Sequence, residues 1–331
     1  MLETIKNMLQ CPSCSGDLEW THIKKRDENF IVEASIECLQ CHGQYAVDNE
    51  IAYFLTNLDR NDLWKKAESG ITKYLNDNPD IKDELMTTPI QSLHPTDLFF
   101  RASLIEEQGN YAESEQLFEI AEKKIYTKEY IECSKKQIDF IKDLEIPQDD
   151  IILDIASGKG YLVFKLLNKM PNHIIMSDFS PVVMRKNKKR LEYKNYLNKA
   201  SLMVFDSRKT PFKNSNIKWM TSFLGLGNIE DNFGLIKELK RILLGDFYSI
   251  MFFFKKTDSE NINFIMNNKI SNLNILSIAL EEFKKVDFSV ELLNTCESFC
   301  KPTQVGEIID ANIDALPIHE TIIDWKTIHI F

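Results

Sequence analysis

Two short segments of this chain, Cys11-Pro12-Ser13-Cys14-Ser15-Gly16 and Cys38-Leu39-Gln40-Cys41-His42-Gly43, share the pattern C-x-x-C-x-G and stand 23 residues apart. Each C-x-x-C turn aims two sulfurs at one point, and the glycine that follows lets backbone amides face the thiolates. Two such turns supply the ligands of a closed tetrahedral site, so Cys11, Cys14, Cys38 and Cys41 are expected to hold one structural Zn2+. A redox C-x-x-C pair, or unpaired core cysteines, would have to explain why the pattern occurs twice with its glycine. His42 could replace a cysteine as ligand, but it follows Cys41 directly and reads as a surface residue. A closed four-cysteine site leaves no position for water, so the metal would hold the fold rather than do chemistry.

Phe30 to Cys38 alternates apolar and polar residues as a strand does, and Tyr45-Ala46-Val47 and Ile51-Ala52-Tyr53-Phe54-Leu55 flank Asp48-Asn49-Glu50 as a hairpin would. Residues 8–55 therefore read as a zinc ribbon. They resemble the small ribbon proteins that serve as partner subunits of tRNA and protein methyltransferases, where the second knuckle also leads into a tyrosine, a short turn and an apolar strand. That resemblance implies a docking element. Residues 1–57 carry four basic groups (Lys6, Lys24, Lys25, Arg26) against nine acids. Phosphate neutralisation supplies most nucleic-acid affinity, so this sign counts against nucleic acid as a partner without excluding it.

At 331 residues and 44% hydrophobic composition the chain can bury about two cores, and its net charge is −10. No apolar run approaches a membrane span, and Met1 to Gln10 lacks the basic start and apolar stretch of a secretory signal, so a cytoplasmic protein is expected. Seven cysteines agree with a reducing compartment, four assigned to zinc and Cys133, Cys296 and Cys300 left over. Cys296 and Cys300 could be a redox pair, although buried small residues are the simpler reading.

Residues 58–147 read as a helical connector punctuated by Pro79, Pro89 and Pro95. Phe100 to Phe118 resembles half of a tetratricopeptide unit with no second copy, and one such unit cannot bury its own apolar faces. The last connector helix, Lys128 to Leu144, places Ile131, Ile138, Ile141 and Leu144 on a packing face and stops before Pro147.

Residues 148–331 form the third segment. Ile151 to Asp154 is a buried strand that enters the tight turn Ile155-Ala156-Ser157-Gly158-Lys159-Gly160 and an apolar helix from Tyr161. Strand His173 to Asp178 ends on an acid 24 residues after Asp154, and Leu202 to Phe205 ends at Asp206. A full G-x-G-x-x-G is missing because Val163 occupies the last slot, and Asp154 would repel a pyrophosphate. Three strand-end carboxylates suit a ligand with a cationic amino-acid end, a ribose and an adenine. Together with Pro211-Phe212 and Leu239 to Gly245 before the strand Tyr248 to Phe254, they resemble a class I S-adenosylmethionine-dependent methyltransferase over residues 149–254.

The resemblance implies an α/β, Rossmann-like seven-stranded sheet with one antiparallel member, closed by Phe288 to Leu293 and Thr321 to Phe331. It also implies that S-adenosylmethionine contacts Asp154, Ala156, Gly158, Gly160, Asp178, Phe179, Asp206, Ser207 and Ser222. Ala156 departs from the family, which has a glycine there. Arg185 to Arg190 then falls on the helix after the second strand and reads as a solvated basic face.

Methyl transfer needs alignment more than a general base, so no catalytic residue is assigned. The loop Phe223 to Asn228 is placed to face the acceptor, with Ser222, Gly225 and Asn228 as candidates. It lacks the N-P-P-Y sequence of base-amine methyltransferases and a cysteine for attack on pyrimidines. The expected acceptor is a small molecule or protein, with rRNA or tRNA, or a non-catalytic scaffold, as alternatives. Cys300 to His319 is expected to wall the acceptor, and Tyr126 or Tyr130 of the connector to roof it.

Overall fold

The computed structural model describes residues 1–27, 29–56, 71–268 and 271–331. The boundary expected between residues 57 and 58 lies outside them. Four ribbon strands come first: β1 (Leu18–Asp27), β2 (Phe30–Cys38), β3 (Gln44–Asp48) and β4 (Ile51–Tyr53). Asn49 and Glu50 adopt positive φ (48° and 67°), which makes the tight hairpin read from Asp48-Asn49-Glu50. Helices follow: α1 (Ile71–Asp77), α2 (Pro79–Thr87), α3 (Pro95–Glu107), α4 (Tyr111–Ile125) and α5 (Lys128–Lys142).

The remaining chain alternates strands and helices: β5 (Ile152–Asp154), α6 (Tyr161–Leu167), β6 (Ile174–Asp178), α7 (Pro181–Tyr193), β7 (Ala200–Val204), β8 (Ile217–Phe223), α8 (Asn232–Ile242) and β9 (Leu243–Phe254). Then come α9 (Ser259–Asn267), α10 (Leu276–Lys284), β10 (Val290–Cys300) and β11 (Thr321–Ile330). All strands join one sheet in the order β1-β2-β3-β4-β7-β6-β5-β8-β9-β11-β10. The segment from β7 to β10 contains seven strands with β11 antiparallel to β9, the sheet expected from the sequence.

The ribbon is not an appendage. Its β4 pairs in parallel with β7, Ile51 against Leu202 and Tyr53 against Val204, and the Phe54 amide donates to the Val204 carbonyl at 2.8 Å. Leu9 bridges Phe212, and Gln10 donates to Pro211 at 2.7 Å. One apolar core therefore runs from Ile5, Ile31, Ile36 and Phe54 through Met203, Phe205 and Phe212. A small ribbon has too little interior to be stable alone, and the free edge of the larger sheet supplies what it lacks.

The connector solves the problem of its unpartnered helical hairpin in a comparable way. Leu98, Ala102, Leu104 and Ile105 of α3 pack with Leu117 and Ala121 of α4, and Ile309 from the far end of the chain closes the cluster. The buried Asp97 carboxylate fixes that contact by accepting from the amides of Glu307, Ile308 and Ile309 at 2.8–3.1 Å. Helix α5 packs on β10 and β11 through Ile138 and Ile141, and buried Gln137 accepts from Thr327 Oγ1 at 2.8 Å. Ile131, expected on the same face, is only partly buried.

Candidate cofactor, metal and acceptor sites

The four knuckle cysteines converge. Their sulfurs all lie within 4.8 Å of one another, with Cys11 to Cys41 at 3.6 Å and Cys14 to Cys38 at 3.5 Å. Tetrahedral Zn–S bonds of about 2.3 Å place sulfurs about 3.8 Å apart, so the cluster has the dimensions of a zinc site. The amides of Gln40 and Cys41 point at Cys38 Sγ (3.4 and 3.5 Å), the arrangement that stabilises a thiolate. Tyr45 Oη lies 3.2 Å from Cys11 Sγ, adding a contact that the sequence did not reveal. His42 turns away from the cluster to Glu37, 3.0 Å from Oε1, as a surface residue would.

At the C-terminal ends of β5 and β6, Ala156, Gly158 and Gly160 all take left-handed φ (52°, 51° and 78°). Nothing lies within 4 Å of a side chain built at Gly158, whereas one at Gly160 would strike Met176 Cε at 2.3 Å. Gly158 thus borders open space and Gly160 a packed wall. Asp178 holds the turn: its Oδ2 accepts from the Gly158 amide (3.0 Å) and its Oδ1 from Ser180 (2.9 Å). Although it ends a strand, this carboxylate is only 8% exposed, and burial raises its pKa despite the amide hydrogen bonds. The amides of Gly158, Phe179 and Ser180 converge on it.

Asp154 is fully buried below the turn and accepts from Thr221 Oγ1 at 2.7 Å. Burial pushes its pKa up to about 7, against the hydrogen bonds of Ser157 and Thr221 and with a small addition from the charge of Asp178. Phe179 leaves its ring 37% exposed beside Asp178. Asp206 is buried and clamped by Arg208, whose Nε and Nη2 donate at 2.9 and 2.6 Å. Ser207 is buried next to it. Ser222 is fully buried, and its hydroxyl donates to the Ile155 carbonyl at 2.9 Å. Gly225 packs on this turn, while Asn228 donates within its own loop to Leu224.

The basic run Arg185 to Arg190 is a solvated face only in part: Arg185 and Lys189 are exposed, and the other members turn inward. Asn187 is fully buried and donates to the Gly158 carbonyl at 2.7 Å, and Arg190 donates to the Lys159 carbonyl at 2.8 Å. Arg190 also grips Glu106 and Lys186 grips Glu107, both on α3, while Lys188 pairs with Glu50 of the ribbon at 3.1 Å. Helix α7 thereby clasps glycine turn, connector and ribbon at once. The i, i+3 spacing of Asn187 and Arg190 was the available signal. Composition alone cannot tell a charged face that meets solvent from one that meets acids elsewhere in the chain.

Above the turn, Lys159 reaches up to the connector, its ammonium 4.2 Å from the Phe99 ring centre and 4.7 Å from that of Phe118. Desolvation and, secondarily, the charge of Arg190 lower its pKa to about 8. Tyr126 and Tyr130 stack at 4.8 Å, and Tyr126 Oη donates to Asp314 Oδ2 at 2.7 Å. The connector and the segment between β10 and β11 therefore meet on this side of the sheet. Burial, and after it the neighbouring Cys296, push the Cys133 thiol of α5 above its usual pKa, and Cys300 is buried. Among the described residues no helix is long and apolar enough to cross a membrane.

Residues 152–245 match the family model described as a methyltransferase domain. No curated protein matches the chain in sequence. Similar solved structures include the YcgJ protein of Bacillus subtilis (13% identity, 59% of this chain and 96% of that chain, TM-score 0.46). Another is a Haemonchus contortus phosphoethanolamine N-methyltransferase with S-adenosyl-L-methionine (16% identity, 48% of this chain and 38% of that chain, TM-score 0.40). Residues 152–245 thus match a methyltransferase-domain family and lie in a Rossmann-like α/β sheet, in a chain whose N-terminal ribbon carries a four-cysteine cluster with the dimensions of a zinc site.

Proposed function

We propose that this protein transfers a methyl group from S-adenosylmethionine to a small-molecule or protein acceptor. The glycine turn carries the reading: a left-handed Gly158 bordering open space, hooked to Asp178 within the matched domain. The residues present fit the cofactor. A carboxylate already ordered by backbone amides keeps lone pairs for ribose hydroxyls, and the exposed Phe179 ring offers a face to a purine. Asp206, with Ser207 beside it, would meet the adenine edge while shared with Arg208. Asp154 would answer the ammonium of the methionine end.

S-adenosylmethionine supplies an already activated methyl group, so the protein's part is to align the acceptor and exclude water. The connector would do this as a roof carrying Tyr126 and Tyr130, with residues 300–319 as a wall. Zinc in the cluster of Cys11, Cys14, Cys38 and Cys41 would stiffen the ribbon, and Lys188 to Glu50 would tie that ribbon to the helix holding the turn. The ribbon then supports the lid, a more direct role than docking a separate partner. We place the reaction in the cytoplasm.

Calorimetry with S-adenosylmethionine and S-adenosylhomocysteine tests the reading. One-to-one binding by the wild type, abolished in Gly158→Val, is expected because valine cannot take this φ without strain and would fill the open space. A wild type that binds neither compound would be a scaffold, and the proposal would fail.

A further inference from the structure

The Asp206 carboxylate, assigned above to the adenine edge, already has its lone pairs taken. Its Oδ1 accepts from the backbone amide and the Nε of Arg208, both at 2.9 Å, and its Oδ2 accepts from Nε at 3.1 Å and from Nη2 at 2.6 Å. An ionised carboxylate offers about four lone-pair sites, so these contacts fill it. The Asp206 side chain is 7% exposed and that of Arg208 28%, which makes the guanidinium the outer member of the pair. A ligand that reaches Asp206 from solvent meets Arg208 first.

The pair stands where a nucleoside would lie. Val204 is opposite Asp178 in the pairing of β7 with β6, and the Phe205 amide donates to the Asp178 carbonyl at 3.2 Å, so Asp206 is one strand over from the acid assigned to the ribose. The loop that carries Asp206 and Arg208 is pinned from two sides. Gln10 of the ribbon donates to the Pro211 carbonyl at 2.7 Å. Glu238 of α8 accepts from the Thr210 amide and hydroxyl at 2.7 and 2.8 Å, and Arg241 donates to the Phe212 carbonyl at 2.7 Å. Room for a ligand at Asp206 must therefore come from the Arg208 side chain and not from the backbone.

We propose that Arg208 competes with the exocyclic amino group of adenine for Asp206 and thereby sets how tightly the nucleoside is held. This rests on the S-adenosylmethionine reading of the site. Both contacts to Oδ2 come from the guanidinium, so a swing of that side chain frees this oxygen, while the Arg208 amide keeps Oδ1 and the loop stays in place. The amino group, a donor, can take the freed acceptor. A purine with an oxo group at the same position would set one acceptor against another and gain nothing from the exchange. Between binding events the pair keeps a buried carboxylate from standing uncompensated.

The test uses the full chain and calorimetry with two compounds, S-adenosylhomocysteine and S-inosylhomocysteine, in which the amino group is replaced by oxo. Arg208→Ala should raise the affinity for S-adenosylhomocysteine about five- to tenfold and leave that for S-inosylhomocysteine unchanged or lower. Arg208→Gln, which removes the charge and keeps most of the side chain, should do the same and serves if the alanine variant melts early. In an Asp206→Ala background the gain from Arg208→Ala should vanish. Unchanged or weaker binding of S-adenosylhomocysteine, an equal gain for both compounds, or a gain that persists without Asp206 overturns the competition and leaves the methyltransferase reading standing. A wild type that binds neither S-adenosylmethionine nor S-adenosylhomocysteine overturns that reading and this proposal with it.

Discussion

Ala156 stands with its Cβ 2.8 Å from where a side chain at Gly225 would begin, in a left-handed conformation with φ 52°. The methyl that sets this turn apart from the glycine-bearing methyltransferase turns it resembles is tolerated because residue 225 has none. Gly225→Ala should cost about 1–3 kcal/mol by overpacking. Ala156→Gly relieves strain of about 1 kcal/mol but frees the unfolded chain by a similar amount, so it should be nearly neutral. Combined, the two should recover part of the loss, because the Ala156 carbonyl also crowds residue 225 at 2.8 Å. Urea denaturation of the three variants decides it, and strictly additive effects would contradict the contact.

The clasp between Arg190 and Glu106 joins two side chains that are 11% and 12% exposed. Arg190→Ala strands a partly buried carboxylate and also releases the Lys159 carbonyl, which should cost about 2–4 kcal/mol. The connector should become the first part of the chain to be cut by protease. A cleavage pattern and melting curve identical to wild type would show that the clasp contributes nothing.

Asp178→Ala should weaken cofactor binding by about 1.5–3 kcal/mol for each charged hydrogen bond lost. It should also lower stability, since the amides of Gly158 and Ser180 lose their acceptor. Calorimetry and chemical denaturation separate the two effects, and an unchanged melting curve would show that the turn does not need this hook.

Asp154 has a folded pKa of about 7, above the usual carboxylate value near 4, with burial as the main cause. A raised pKa contributes stability that is fully present below about pH 4 and lost as pH rises through 7. The cationic end of S-adenosylmethionine favours the ionised form, so cofactor affinity should move the other way and increase from pH 5 to 8. Asp154→Asn should flatten both trends. Affinity that does not vary with pH in the wild type would remove Asp154 from the site.

Cys38→Ser should abolish the binding of one zinc per chain. Because β4 is hydrogen-bonded to β7, metal loss should lower the melting temperature of the whole sheet in one transition rather than melt the ribbon separately. Metal analysis with scanning calorimetry checks this, and a variant that keeps its zinc would sink the cysteine assignment.

The sequence by itself determined what is written in local spacing. The paired knuckles brought four sulfurs together, and strands ending at Asp154, Asp178 and Asp206 defined the central sheet and its glycine turn. Two-residue and 3.6-residue periods, glycines at positive φ and strand-end acids are short-range signals, legible without a partner. Only the tertiary structure decided that the ribbon extends the sheet through Ile51 and Leu202, and that Arg190 and Lys186 meet Glu106 and Glu107 instead of water. It alone closed the connector's core with Ile309 and set Tyr126 on Asp314. These contacts join residues from about 80 to more than 200 positions apart. An exposed edge strand, an acidic helix and an unpaired helical hairpin each need a partner, but nothing local says which distant segment will supply it.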